Sequence, residues 1–254
     1  MTILCYHTVD ERWRSPLAVP PVTFDAHCAW LARHRRPVDL VTAMEHLDAS
    51  GRLPAGEVAL TFDDGFSGVR DHAVPILRRH GIPATVFVVA GTLASGGREV
   101  DWVDTPPPYP LTTVTGTEVI ELHRAGIGIG SHSYAHHDLT RLDEAECERD
   151  LRASRELLED LLECPVPFLA YPRGRNDERV RRAARRAGYT HAFTLPEARE
   201  PVDRYGVPRV GVYPQNDVRA LRVKTSRAYG PLRTSRAFPL LRRAVPKRSA
   251  HADR

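Results

Sequence analysis

The chain has few cysteines and no C-x-x-C pair: Cys5, Cys28, Cys147 and Cys164 are scattered along it. This excludes a disulfide-framed domain or a finger-type zinc module, and suits reduced thiols that serve as packing residues. No apolar run is long enough to span a bilayer, and the start, MTILCYHTVD, lacks the cationic head and long apolar stretch of a secretory leader. A cytoplasmic protein is expected from these absences. Internal repeats and base-reading motifs are missing too, so no specific nucleic-acid partner is expected.

Acidic residues become scarce only near the end. Residues 222–254 hold ten Lys/Arg and one acidic residue, Asp253, a balance of +9 that leaves −5 on residues 1–221 in a chain of net charge +4. Two regions are therefore expected: a domain over 1–221, and a solvated basic tail over 222–254 able to contact anionic surfaces. With 254 residues, 42% of them hydrophobic, the chain can bury one substantial core.

Short β-branched runs predict strands at 2–6, 58–62, 84–89, 127–131, 168–171, 191–194 and 207–212. Helical patterns at 24–35, 41–49, 66–80, 117–125, 144–162 and 177–187 fall between most of them. The longest opens on a capping box, Asp143 with Glu146, and another ends at Gly188. Alternation of this kind predicts an α/β fold with a parallel sheet, open or closed into a barrel, and with function at the C-terminal strand ends. The Gly- and Pro-rich stretch from Ala94 to Thr112 predicts a long loop on that side, where Trp102 and Tyr109 either stack on a sugar ring or anchor the loop.

Four strand ends carry chemistry. In TFDDG, Asp63, Asp64 and Gly65 read either as a tight turn or as two carboxylates sent to different positions, one for a metal and one for a proton. In SHSYAHHDL, a helical turn would set His132 and His136 on one face, where a carboxylate from another strand completes a three-ligand metal site; His137 is a bystander. In AYPRG, the Tyr171-Pro172 step fixes an extended entry and Gly174 permits a turn that offers a backbone N–H to an anion. In CYHTV, His7 stands at the same rim, as a structural residue or as an acid that protonates a departing amine.

Together these stretches resemble the polysaccharide deacetylases with a NodB homology domain, carbohydrate esterase family 4, over about residues 1–212. The resemblance implies a distorted (β/α)7 barrel. It implies Asp63 as catalytic base, Asp64, His132 and His136 as metal ligands, and a backbone N–H at Arg173 holding the oxyanion. Better-known members place a catalytic histidine in a late Leu-x-His, and none follows His191 here; YHTV instead is similar to the permuted arrangement of poly-N-acetylglucosamine deacetylases, making His7 the acid. Where the family's third motif carries an arginine, this chain has Ala170, which leaves the partner of the base open.

The implied activity is metal-dependent hydrolysis of acetamido groups on N-acetylglucosamine-containing saccharide, with acetate as product. Tyr171, Pro172, Trp102 and Tyr109 are the expected sugar contacts. Two imidazoles and a carboxylate suit Zn²⁺ first, and Co²⁺, Ni²⁺, Mn²⁺ or Fe²⁺ as well. The competing readings are an amidase acting on a small N-acyl compound and a carbohydrate-binding pseudoenzyme.

Overall fold

The computed structural model describes residues 2–51, 54–95, 100–196 and 202–229. The expected basic tail from residue 230 onward and residues 96–99 of the expected long loop lie outside the described residues.

The elements run β1 (Thr2–Tyr6), β2 (Thr8–Val9), β3 (Ala18–Val19), α1 (Pro21–His34), β4 (Arg36–Pro37), α2 (Leu40–Ser50), β5 (Glu57–Phe62) and α3 (Val74–His80). They continue with β6 (Ala84–Val88), α4 (Gly116–Arg124), β7 (Gly128–Ser131), α5 (Glu144–Leu162), β8 (Phe168–Ala170), α6 (Glu178–Arg186) and β9 (His191–Thr194). Two short strands, β10 (Val207–Pro208) and β11 (Val210–Gly211), precede α7 (Val218–Lys224). The capping box expected at Asp143 and Glu146 forms, and Thr115 with Glu118 makes another at α4.

Three expectations needed correction. The helix predicted over 66–80 begins as a π-helical turn, Val69–Ala73, because Pro75 has no N–H to continue the regular ladder. The strand predicted over 207–212 breaks at Arg209. Finally, α7 crosses the expected boundary after 221: Asp217 caps it, Leu221 is fully buried, and folded chain continues to Tyr229.

All pairings in the main sheet are parallel, in the order β10-β9-β8-β7-β6-β5-β1-β11, with β4 alongside the start of β5. Its two edge strands are separated in sequence by Arg209 alone. β10 pairs with β9 and β11 with β1, so the segment from Val207 to Gly211 passes from one edge of the sheet to the other and nearly closes it. Counted as one, that segment is the seventh strand of a distorted (β/α)7 barrel.

Strand alternation assigns every side chain to a face. On β1, Leu4 and Tyr6 join the layer packed under the helices with Phe24, Leu60, Phe62 and Val86, while Ile3 points inward with Ala59, Phe87, Ala170 and Phe193. The inward set meets Leu40, Met44 and Leu47 of α2. At the N-terminal strand ends this helix also bonds the sheet through His46 to Glu57 and Asp48 to His191. The barrel is thus plugged below, leaving the C-terminal ends of the strands for chemistry. Among the described residues no helix is long and apolar enough to cross a membrane.

Candidate active site

The inward face of β5 carries Ala59 and Thr61, and the same period brings Asp63 over the barrel's interior. Its backbone N–H donates to Tyr6 O at 3.0 Å, extending the pairing with β1 by one residue. At Asp64 the backbone turns left-handed, φ 69°, and Gly65 follows at φ 66°, where a Cβ would meet Val88 Cγ1 at 3.0 Å. The turn and the division of the two carboxylates are therefore one structure. Asp63 stays on the strand's inward track, and Asp64 is swung toward the histidines.

Arg209 was missed from the sequence as the partner of Asp63. Its side chain is fully buried, donating from Nη1 to Asp63 Oδ1 at 2.6 Å and from Nη2 to Oδ2 at 2.7 Å, with Thr61 Oγ1 3.1 Å from Nη1. The available signal was an arginine set between apolar strand residues in VPRVG. Burial would raise the Asp63 carboxyl, but the Arg209 guanidinium and then His132 outweigh it and hold the group well below the usual carboxylate range. Cys5, expected only to pack, also faces this carboxylate, its Sγ 3.3 Å from Oδ2.

On the other side of Asp63 stand the histidines. His132 continues the track of β7 and shares Nδ1 with Ala170 O at 2.7 Å; because a carbonyl only accepts, Nδ1 carries the hydrogen and the Nε2 lone pair faces the carboxylates. Nε2 lies 3.7 Å from Asp64 Oδ1 and 3.9 Å from Asp63 Oδ2. Burial pushes the His132 pKa down to about 4, the carboxylate of Asp63 countering it only in part, so the ring is neutral near pH 7. His136 brings Nε2 to 3.2 Å from Asp64 Oδ1. The helical turn expected between the two histidines does not form: the segment is a loop with left-handed backbone at Ser133 (φ 67°) and His136 (φ 56°), and that geometry makes the rings converge.

Asp64, His132 and His136 are all buried, and one ligand atom of each lies within 4.8 Å of the others. One carboxylate oxygen and two imidazole nitrogens, one with its tautomer fixed, form a donor set that fits a divalent transition ion. Burial would raise Asp64 as well, but its hydrogen bond with His136 and the imidazoles around it keep the carboxyl low. His7 is half-buried, a ring nitrogen within 4.8 Å of Cys5 Sγ and of an Asp63 oxygen, while its Nδ1 is buried without a partner.

The remaining expected residues divide. Trp102 joins the site, donating from Nε1 to Asp64 Oδ1 at 3.1 Å and stacking on His136 with ring centres 4.9 Å apart. Tyr109 anchors the loop instead: its hydroxyl donates to Asp10 Oδ2 at 2.5 Å, and Arg12 lies over its ring. Arg173 takes a left-handed backbone, φ 58°, at the end of β8, with Nη2 3.4 Å from Trp102 O. Tyr171 is corrected by strand period. Phe168 and Ala170 point inward, so Tyr171 points outward, buried beside Leu151, Val180 and Tyr189 with its hydroxyl on Tyr205 O at 3.0 Å. Pro172, buried in the same turn, is enclosed rather than presented to a sugar. His137 is exposed.

The chain belongs to the polysaccharide deacetylase family, whose sequence profile matches residues 50–192. The Bacillus subtilis protein YxkH is 26% identical over 219 residues, 84% of this chain and 72% of its own. The poly-beta-1,6-N-acetyl-D-glucosamine N-deacetylase of Staphylococcus epidermidis is 25% identical over 199 residues, 74% of this chain. This chain spans 65% of that enzyme's length. The Streptococcus pyogenes deacetylase PplD, solved in complex with acetate, has the same fold with a TM-score of 0.76 at 22% identity, covering 89% of this chain and 98% of its own.

Proposed function

We propose that this chain is a metal-dependent N-deacetylase that hydrolyses acetamido groups on N-acetylglucosamine-containing oligo- or polysaccharide, releasing acetate and a free amine. The observation carrying this reading is the meeting of two units at one barrel mouth: the Asp64, His132 and His136 triad, and an Asp63 carboxylate clamped by Arg209. The staphylococcal relative's named substrate supports the sugar, and the acetate in PplD supports the product.

Asp64, His132 and His136 would hold the ion, with Zn²⁺ the first choice for this donor set. Bound there, a divalent ion supplies Lewis-acid activation of water and of the acetyl carbonyl. Asp63 is the base: ionised and held by both oxygens, it accepts the proton that water loses as it adds to the carbonyl. Arg209 keeps that carboxylate charged and in one orientation. The N–H of Arg173, on its left-handed turn, is assigned to the developing oxyanion. His7, with a ring nitrogen within 4.8 Å of an Asp63 oxygen, gives a proton to the departing nitrogen as the C–N bond breaks. Trp102, over His136, walls the mouth and offers a face to the sugar ring.

Acetate release from a panel of N-acetylglucosamine oligomers, N-acetylglucosamine itself and small non-sugar acetamides, with and without added Zn²⁺ or Co²⁺, tests the reading. Turnover that depends on metal and favours the oligomers is expected. Preference for the non-sugar amides would replace the sugar assignment, and metal uptake without turnover on any member would make the protein a binding module.

A further inference from the structure

The two left-handed residues that bring His136 into place are a liability. Neither Ser133 nor His136 is glycine, and non-glycine residues keep such conformations only where their surroundings hold them. The hydrogen bonds along Ser133 to His136 show what holds them. Ala90 and Gly91 donate backbone N–H groups to Ser133 O at 3.1 Å and Tyr134 O at 2.8 Å, and Ser133 Oγ accepts from His136 N at 3.0 Å. The two N–H groups between, those of Tyr134 and Ala135, both go to one side chain. Asp150 accepts the first at 2.9 Å on Oδ1 and the second at 3.2 Å on Oδ2.

Asp150 belongs to α5, the longest helix, whose capping box and buried Cys147, Leu151 and Leu158 fix it to the barrel. Four residues on, and so on the same face, Ser154 meets Ser131 Oγ at 2.7 Å, and Ser131 in turn accepts from Ser133 N at 3.1 Å. The helix therefore holds the histidine loop where it leaves the strand, at Ser131, and in the middle of its bend, at Tyr134 and Ala135. A carboxylate with two acceptor oxygens matches two consecutive N–H donors; an amide in its place would turn an NH₂ group toward one of them.

We propose that Asp150 is the positioning residue of the metal loop, its carboxylate holding the backbone between the two histidines so that the His136 imidazole arrives at Asp64 already oriented. This rests on His136 being a metal ligand, the reading given above. Asp150 lies outside the ligand set and touches neither substrate nor reacting atoms. Its effect passes through the backbone to His136, so the ion is bound by a site assembled beforehand rather than one it must assemble.

The test compares wild type, His136→Ala, Asp150→Asn and Asp150→Ala, by Zn²⁺ affinity in a chelator competition and by the visible d–d spectrum of the Co²⁺-loaded protein. Circular dichroism and thermal melting of the metal-free forms show whether each is folded. For folded Asp150→Asn, Zn²⁺ affinity should fall about 10–100-fold, the range for outer partners of metal ligands, with a changed Co²⁺ spectrum. An affinity within two-fold of wild type together with an unchanged spectrum would overturn the proposal, since a purely structural role moves the melting temperature alone. Should Asp150→Asn fail to fold, Asp150→Ala, which drops the carboxylate and admits water to the two amides, is judged by the same readings. His136→Ala separates the two layers of the argument: if it binds metal like wild type, the ligand assignment itself fails, whatever Asp150 does.

Discussion

At the scale of single residues, the paired aspartates make the sharpest difference. Asp63→Asn should keep bound metal and lose most turnover, since the amide fills the space but accepts no proton, whereas Asp64→Ala should empty the site. Metal stoichiometry after dialysis, read beside acetate release, separates the two, and the opposite pattern would exchange their roles. His7→Ala should keep metal and lose about two to four orders of magnitude in turnover, the range for a general acid or base; a metal-loaded variant of normal activity would dismiss His7. Arg209→Met strands a buried carboxylate and should destabilise the fold by about 3–5 kcal/mol in urea unfolding. Adding Asp63→Asn to it should recover part of that loss, because the stranded charge is then gone. Additivity of the two changes would mean the pair is not coupled.

Elements were legible in the sequence wherever a period of two or 3.6 ran long enough. Helix α5, with its capping box and leucine stripe, has the expected bounds, and the six strands expected before Val207 form at or within a residue or two of their expected ends, while the two-residue strands β2, β3 and β4 were not foreseen. That Asp63, Asp64, His132 and His136 would meet at one rim was legible as well, because each lies just beyond the end of a strand. What escaped were features that period does not encode. Arg209 sits 146 residues from Asp63, and nothing local announces the pairing. The conformation of the His132–His136 bend depends on α5, which comes later in the chain. Tyr171 was misplaced by counting its motif rather than its strand's faces. The loop carrying Trp102 is held by contacts no motif shows: Trp13 Nε1 on Thr105 O at 2.8 Å, and a small cluster of Trp13, Phe66, Val100 and Leu111. Because Trp102 lies against His136 and Asp64, Co²⁺ or Ni²⁺ binding should quench part of the tryptophan fluorescence. Trp102→Phe should remove that response while leaving Trp13 and Trp30 to emit. A response undiminished in Trp102→Phe would place the ion elsewhere.

For the molecule as a whole, burial sets the acid limit. His27 and His191 are held below the ordinary histidine pKa by burial, and His132 is pushed down to about 4, so below about pH 6.5 the unfolded chain takes up protons that the folded chain refuses, for His132 until about pH 4. The metal-free protein should be at full stability above about pH 6.5 and lose it progressively toward pH 4. Melting temperature across that range checks this, and a flat profile would mean the rings are not held neutral. Asp63 and Asp64, held low in the fold, add a second loss at still lower pH, as the folded carboxylates finally protonate. The seam of the barrel carries a different consequence. Among the described residues Val207 to Gly211 is the last stretch of sheet in the order of synthesis, and it delivers Arg209 only as it zips the two edges together. A chain halted before residue 207 would own Asp63, Asp64, His132 and His136, yet Asp63, the base proposed above, would lie beside an open gap without the guanidinium of Arg209. On the proposed mechanism, readiness of Asp63 as proton acceptor is therefore a certificate of a finished barrel, issued by the same residue that shuts it.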